Sequence, residues 1–235
     1  FNAVGSPVNS FVGGSLIGEQ GPAKSVDSDW VVAEADESDA SFLYLKPTIA
    51  VITNVDPDHL ESYRGNFDVL KQSFLQFTSQ IDQGGVLIAC LDHPVVRSLL
   101  PQVDCRVITY GFSDDADVRA CDYRCHAMTS DFTVHYLSEC CDMSLPLMGR
   151  HNAENTLAAI AVAMHRGVSL SAACNGLLSF PGVNRRLQSH GEVTLYNKRL
   201  HVYEDYGHHP EELAATISAC QQAFPDRQLV MLFQP

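Results

Sequence analysis

Two clusters of polar residues stand out because each directly follows a short apolar run. The first is Glu34-Ala-Asp-Glu-Ser-Asp39, which contains Glu37, and the second is Asn54-Val-Asp-Pro-Asp-His59. Carboxylates and an imidazole beside a phosphate suit Mg²⁺, which takes few protein ligands and keeps substrate oxygens and water. Solvated loops with capping Asp and Ser side chains are the alternative. Because the two clusters occupy matching positions, each directly after an apolar run, a functional site is favoured over two solvated loops.

The apolar runs that precede the clusters are Trp30-Val-Val-Ala33 and Thr48-Ile-Ala-Val-Ile-Thr53. Both are short and rich in β-branched residues, which predicts strands buried on both faces of a parallel sheet. In open α/β sheets, ligands bind at the carboxyl ends of the strands. We therefore expect both polar clusters to lie at that edge.

Three further segments could carry chemistry. Gly149-Arg-His-Asn-Ala-Glu-Asn155 opens a predicted helix, where Asn152 either caps the helix or offers its amide to a nucleotide base. Arg185-Arg186 is either a solvated pair or a phosphate clamp reached by domain closure. Glu204-Asp-Tyr-Gly-His-His-Pro210 places two adjacent histidines between a strand and a helix, and one of them is expected to contact substrate.

Strands and helices alternate through the first half of the chain, which is typical of an α/β fold. Alternating apolar and polar residues then predict antiparallel strands with one solvated face. The predicted elements are helices 67–81, 94–100, 152–166, 169–178 and 210–223, strands 86–89 and 105–110, antiparallel strands within 118–147, a hairpin of 193–196 and 200–204 turning at Asn197-Lys198, and a core strand 228–235.

The break Phe180-Pro-Gly-Val-Asn184 predicts a domain boundary, with one domain over 1–183 and a second over 184–235. The first would hold a mostly parallel central sheet flanked by helices, together with a small antiparallel sheet. Because the chain starts at Phe1 without a leader and its last strand has no continuation, we expect a fragment of a longer protein.

Composition excludes several classes of protein. The 235 residues carry 15 Lys and Arg against 28 Asp and Glu, a net charge of −13, which argues against a general nucleic-acid binder. No apolar run is long enough for a membrane span. The eight cysteines form no CxxC pair. Cys121, Cys125 and His126 could suggest a metal site, but reduced thiols in the cytoplasm are the favoured interpretation.

Taken together, these segments resemble the Mur ligase family, in family order over nearly the whole chain. The matching motifs are Glu34-Ala-Asp-Glu-Ser-Asp-Ala-Ser-Phe42, Thr53-Asn-Val-Asp-Pro-Asp-His59, Thr109-Tyr-Gly-Phe-Ser113, Arg150-His-Asn-Ala-Glu-Asn155, Arg185-Arg186 and Asp205-Tyr-Gly-His-His-Pro210. Two positions depart from the family: Asn9-Ser-Phe-Val-Gly-Gly14 from its usual Asn-Gly-Gly, and Glu204 from its usual Asp.

The resemblance implies three domains, of which this chain holds most of the central ATPase domain and the start of a Rossmann-like C-terminal domain. It also implies ATP-dependent, Mg²⁺-dependent amide formation through an acyl phosphate during peptidoglycan precursor synthesis. The resemblance is strongest to the members that join L-alanine to UDP-N-acetylmuramate. In the member that recycles murein tripeptide, Tyr is expected in place of Ser38 and Phe-Ala in place of Tyr206-Gly207.

The same resemblance assigns roles to individual residues. Glu34 and His59 would bind Mg²⁺. His151, Asn152 and Asn155 would contact adenine. Arg186, or else Arg185, would contact phosphate, and Asp205 would contact the nucleotide. Tyr206 and His208 would face the substrates, with His208 as the candidate general base for the amine. Asn54 and Glu37 would support these groups.

Two different classes compete with the ligase. One is a binding module that keeps the fold without catalysis, since no GxxxxGK[ST] phosphate-binding loop occurs in the sequence. The other is a metal-dependent hydrolase built on Glu34, His59 and His208. The sequence predicts no oligomeric state.

Overall fold

A six-stranded mixed sheet forms the centre of the computed structural model, which describes residues 1–18, 21 and 23–234. The strands are β1 (Asn9–Phe11), β2 (Ala23–Lys24), β3 (Val31–Ala33), β4 (Ile49–Ile52), β5 (Val86–Cys90), β6 (Arg106–Gly111), β7 (Val118–His126), β8 (Thr129–Tyr136), β9 (Glu139–Leu145), β10 (Gln188–Leu195) and β11 (Lys198–Glu204). The helices are α1 (Phe67–Ser79), α2 (Pro94–Leu99), α3 (Arg150–His165), α4 (Leu170–Leu177) and α5 (Pro210–Ala223).

The central sheet has the order β4-β5-β6-β7-β8-β9. Neighbouring strands are parallel from β4 to β7 and antiparallel from β7 to β9. The α/β class and the mostly parallel centre are confirmed. The structure differs from the prediction in the place of the antiparallel strands: strands β7, β8 and β9 continue the central sheet and do not form a sheet of their own. The separate antiparallel sheet is the hairpin β10-β11.

Two hydrophobic layers cover the sheet. One layer packs α3 and α4 against one face, and the other packs α1 and α2 against the opposite face. Every residue of β5 is buried, as expected for a parallel strand covered on both sides. Along β8, Ser130, Phe132 and Val134 are buried and their neighbours are not, which confirms the predicted alternation. The core therefore holds the carboxyl ends of β4, β5 and β6 in fixed positions.

Two strand predictions were wrong: the strand at 30–33 is not buried, and the segment 228–234 does not pair as a strand. β3 belongs to a small sheet of order β2-β1-β3, where Val31 is 62% exposed. A three-residue strand that pairs with β1 alone is covered on neither face by the described residues.

Residues 228–234 form no regular strand, and Leu232 is 95% exposed. An apolar run becomes a strand only where a neighbour completes its hydrogen bonds, and none of the described residues does so.

Helix and turn signals were more reliable. Ser169 caps α4 by accepting a hydrogen bond from Ala172 N at 3.3 Å, as predicted. Pro210 starts α5, also as predicted. The β10-β11 hairpin turns at Tyr196-Asn197, both with positive φ, one residue earlier than expected. No helix among the described residues is long and apolar enough to cross a membrane.

Candidate functional site

Asn54 lies just beyond β4 in a chain of polar contacts. Its Nδ2 donates to Asp56 Oδ2 at 2.6 Å, and its Oδ1 accepts from the Thr53 hydroxyl at 2.7 Å. Asp56 Oδ1 in turn lies 3.2 Å from Nε2 of His93, just beyond β5. The amide of Asn54 is therefore held by groups that follow two neighbouring parallel strands.

Asp92 forms a second polar centre at the same edge of the sheet. Its carboxylate accepts hydrogen bonds from Phe112 N at 2.7 Å and from Ser113 N at 2.8 Å, both just beyond β6. It also lies 3.3 Å from Nη2 of Arg150, the first residue of α3. A Cβ on Gly111 would lie 2.7 Å from Asp92 Oδ1, so the carboxylate fits closely against that glycine.

The first two turns of α3 carry the three residues expected to contact adenine, His151, Asn152 and Asn155. Gly149 is the N-cap residue, so the capping interpretation of Asn152 was wrong. The Asn152 amide donates instead to Met148 O at 2.9 Å, because the residue lies inside the helix. Asn155 is exposed one turn further along, and His151 is half-buried.

His151 faces residues from the C-terminal part of the chain. Burial lowers the pKa of its imidazole, the carboxylate of Asp205 opposes that effect, and the Arg186 guanidinium adds to it. The structure thus places three of the predicted cofactor residues, His151, Arg186 and Asp205, within electrostatic range of one another. These residues come from distant parts of the sequence.

A cavity of about 230 Å³ lies between α3 and α5 beside His151. Its lining residues come from the two helices: Arg150, His151, Glu154, Ala215, Ser218 and Ala219. A Cβ on Gly149, at φ +98°, would lie 2.7 Å from His151 Cε1 and 2.8 Å from Ala219 Cβ. The glycine therefore lets the start of α3 approach α5 closely enough to form this cavity.

The two arginines of the linker face different partners. Arg186 Nη1 lies 3.0 Å from Glu212 Oε1, on α5. Arg185 Nε lies 3.0 Å from Glu204 Oε1, and its guanidinium lies 4.6 Å from the ring centre of Tyr206. Of the two, Arg186 is the arginine that acts electrostatically on His151.

The segment around Tyr206 and His208 is fixed mainly through its backbone. Asp205 accepts hydrogen bonds from Leu187 N and Gly207 N, both at 2.8 Å. The rings of Tyr206 and His208 meet edge to face at 5.6 Å, and both side chains stay accessible. Nδ1 of His208 lies 3.3 Å from the carbonyl oxygen of Tyr206. Among the residues that the structure describes, Nε2 of His208 has no hydrogen-bond partner.

The expected Mg²⁺ ligands lie on separate loops. Glu34 accepts a hydrogen bond from Gly13 N, while His59 lies beside two carboxylates, 3.5 Å from Asp58 and 3.9 Å from Glu61. The described residues contain no cluster of three or more His, Cys, Asp or Glu that could hold a metal. The three-ligand site required by the hydrolase interpretation is therefore not assembled there.

Nor do Cys121, Cys125 and His126 form a metal cluster in the part of the chain that the structure describes. All eight cysteines, which lie within the described ranges, are free thiols.

Glu37, expected to support the substrate contacts, is tied to Tyr63 through its backbone. Its carbonyl oxygen accepts a hydrogen bond from the Tyr63 hydroxyl. Burial, with the nearby carboxylate of Glu37 next in effect, raises the pKa of Tyr63 to about 12. The hydroxyl of Tyr63 therefore keeps its proton and holds this loop against the segment that follows His59.

Sequence reasoning missed Asp92, His93 and Arg150 as members of the site. Asp92 and His93 directly follow β5, the same position relative to a buried strand that singled out Asn54 after β4. The rule that found Asn54 would have found them. Arg150 lay within a recognised motif, but its pairing with Asp92 depends on tertiary structure.

An α/β sheet with polar groups gathered at the carboxyl ends of its parallel strands defines a ligand-binding protein of the open-sheet class. Residues 23–163 match the model of the Mur ligase middle domain. The chain belongs to the Mur ligase family.

Curated relatives agree with this assignment, and solved structures share the fold. Two UDP-N-acetylmuramate–L-alanine ligases of Coxiella burnetii, from strains Dugway 5J108-111 and RSA 331, are each 44% identical over 226 residues, covering 95% of this chain and 49% of theirs. A UDP-N-acetylmuramate–alanine ligase from Thermotoga maritima has a similar fold, with TM-score 0.79, 22% identity and coverage of 96% and 50%. A MurF ligase from Thermotoga maritima, in complex with ADP, gives TM-score 0.74, 16% identity and coverage of 94% and 52%.

Proposed function

We propose that this chain is part of an ATP-dependent ligase that joins L-alanine to UDP-N-acetylmuramate during peptidoglycan precursor synthesis. The observation that carries the proposal is the 44% identity, over 95% of this chain, to relatives named for that reaction. The chain spans about half the length of those relatives. The activity therefore belongs to a longer protein that contains this chain.

The nucleotide is proposed to bind where α3 meets α5. His151, Asn152 and the exposed Asn155 would contact the base, and the hydrogen bond from the Asn152 amide to Met148 O would orient that side chain. The cavity of about 230 Å³ suits part of a nucleotide, since whole drug-sized ligands occupy roughly 300–1,000 Å³. Arg186 and Asp205 would contact the phosphates and the rest of the nucleotide. The electrostatic effect of Arg186 on the His151 imidazole supports Arg186 over Arg185 as the phosphate ligand.

Mg²⁺ is proposed to bind through Glu34 and His59. The donor set fits an ion that needs only one or two protein ligands, because phosphate oxygens and water supply the others. Asp58 and Glu61 beside His59 add negative charge to the same region. When bound, the ion would neutralise charge on the transferring phosphoryl group.

The proposed reaction has two chemical steps. The muramate carboxylate attacks the γ-phosphate to give an acyl phosphate and ADP, and the amine of alanine then displaces phosphate from the acyl carbon. Arg186 would neutralise phosphate charge, and Asn54 and Glu37 would support the reacting groups. Because Nδ1 of His208 faces the Tyr206 carbonyl, Nε2 could accept the proton that the amine loses. Tyr206 would face the substrates.

Two further proposals follow from the ligase assignment. Residues 1–183 would belong to the ATP-binding domain, and residues 184–235 would start a Rossmann-like domain. The protein would act in the cytoplasm, in keeping with eight free thiols within the described ranges.

The test uses the complete protein encoded by the gene that contains this sequence. ADP release should require UDP-N-acetylmuramate, L-alanine and Mg²⁺ together, and D-alanine is the matched control for the amine. Nucleotide binding without any alanine-dependent ADP release would instead support a non-catalytic binding module.

A further inference from the structure

Asp92 is a nearly buried carboxylate that holds three elements together. Its side chain is 15% exposed and accepts hydrogen bonds from Phe112 N, Ser113 N and the Ser113 hydroxyl at 2.7, 2.8 and 2.5 Å. Burial raises the pKa of this carboxyl, but the hydrogen bonds from Ser113 and Phe112, with the charge of Arg150, outweigh burial and lower the pKa. Asp92 is therefore a fixed negative charge at neutral pH.

Arg150 connects this charge to α3. Its Nη2 lies 3.3 Å from Asp92 Oδ2, its Nε lies 3.1 Å from Glu154 Oε1, and its guanidinium lies 3.8 Å from the ring centre of Phe112. An arginine that lies over an aromatic ring and is paired with two carboxylates loses much of its side-chain freedom, although half of the Arg150 side chain is exposed. Arg150 thus joins the end of β5, the segment after β6 and the start of α3.

The first turn of α3 needs such an anchor. Its N-cap residue is Gly149, which has no side chain to accept a hydrogen bond from the turn, and no acidic side chain lies in that turn. Helix ends without a cap fray more readily. The contacts of Arg150 therefore fix the direction of the turn that presents His151 and Asn152.

We infer that Asp92 is a positioning residue for the nucleotide: acting through Arg150, it orients the first turn of α3 so that His151 and Asn152 meet the base. The inference rests on the proposed function. Asp92 itself faces the protein, so it contributes to nucleotide affinity without contacting the nucleotide.

The test compares Asp92→Asn, Arg150→Met and the double variant in the complete ligase. We expect each single variant to raise KM for ATP about tenfold, because each removes the charge-assisted contact between Asp92 and Arg150. KM for L-alanine and kcat should stay within about twofold of the wild-type values. The double variant should raise KM for ATP no further than the larger single effect, since both changes remove the same interaction.

Asp115→Asn is the matched control. Asp115 lies in the loop between β6 and β7, two residues beyond Ser113, and pairs with Arg97 of α2 at 2.8 Å. Its loss should leave KM for ATP unchanged. Arg150→Lys keeps the charge but not the planar group, so it should give a smaller rise than Arg150→Met.

A second measurement uses binding of a fluorescent ADP analogue, with thermal melting as the folding check. If Asp92→Asn does not fold, the two Arg150 variants carry the test. Unchanged KM for ATP and unchanged analogue binding in Arg150→Met would overturn the inference, and would leave Asp92 as a support for the β6-β7 loop alone. An equal effect in Asp115→Asn would overturn it as well. A wild-type protein without alanine-dependent ADP release would instead overturn the proposed function.

Discussion

Asp56 and His93, which lie 37 residues apart in the sequence, are hydrogen-bonded, with 3.2 Å between Asp56 Oδ1 and His93 Nε2. Nδ1 of the same imidazole accepts a hydrogen bond from Val96 N at 3.4 Å and so caps α2. The pair connects the carboxyl ends of two neighbouring parallel strands. Since Asn54 donates to the same aspartate, its amide is held in a fixed position relative to Asp92 and α3.

Replacement of Glu34 or His59 by Ala in the complete protein should reduce ligase turnover by orders of magnitude. The reason is loss of a Mg²⁺ contact that neutralises charge on the transferring phosphoryl group. Glu139→Ala, an exposed carboxylate at the start of β9, is the control and should leave turnover unchanged. Near wild-type turnover of both variants at saturating Mg²⁺ would refute the assignment of these ligands.

The complete protein should use UDP-N-acetylmuramate with L-alanine faster than with murein tripeptide. This expectation rests on Ser38 and on Tyr206-Gly207, at the positions where the tripeptide ligases are expected to differ. Tyr206 is exposed beside His208, where it can meet a substrate. A competition assay with both amines in one reaction measures the preference, and faster use of the tripeptide would contradict it.

His151 should make the folded chain less stable as the pH falls. Burial lowers the pKa of its imidazole below its ordinary value of 6.5, so the unfolded chain binds a proton more readily than the folded chain. The stability from the neutral imidazole is therefore present above about pH 6.5 and is lost as the pH falls towards the folded pKa.

Proton NMR titration of the His151 ring should give a midpoint below 6.5. Urea unfolding at pH 7.5 and pH 5.5 should show a smaller loss of stability on acidification in His151→Gln than in the wild type. A midpoint at or above 6.5, or equal pH dependence in both proteins, would contradict this prediction.

The 235-residue chain by itself should be catalytically silent. A ligase of this kind holds phosphates with a glycine-rich loop and a lysine, and no GxxxxGK[ST] occurs in the sequence. Glu34 and His59 would bind Mg²⁺ only weakly, because substrate phosphates normally supply further oxygens. Measured alanine-dependent phosphate release by the purified chain, free of complete enzyme, would show that the phosphate site lies within it.

Local patterns were enough for much of the fold. The continuous apolar run of β5, the alternation along β8 and the Ser cap of α4 each depend on side chains close together in sequence. Such signals act through one element at a time, so they appear in the sequence alone. The family and the order of its site motifs were recognised for the same reason, since the motifs are contiguous.

Tertiary structure decided which of those residues meet. The pairing of Asp92 with Arg150 and the approach of Arg186 and Asp205 to His151 join distant segments, and no local pattern encodes such contacts. The same holds for β3, whose apolar residues predicted a buried strand but which pairs with β1 outside the central sheet. Burial depends on what packs against a strand, and that is settled only when all the elements have assembled.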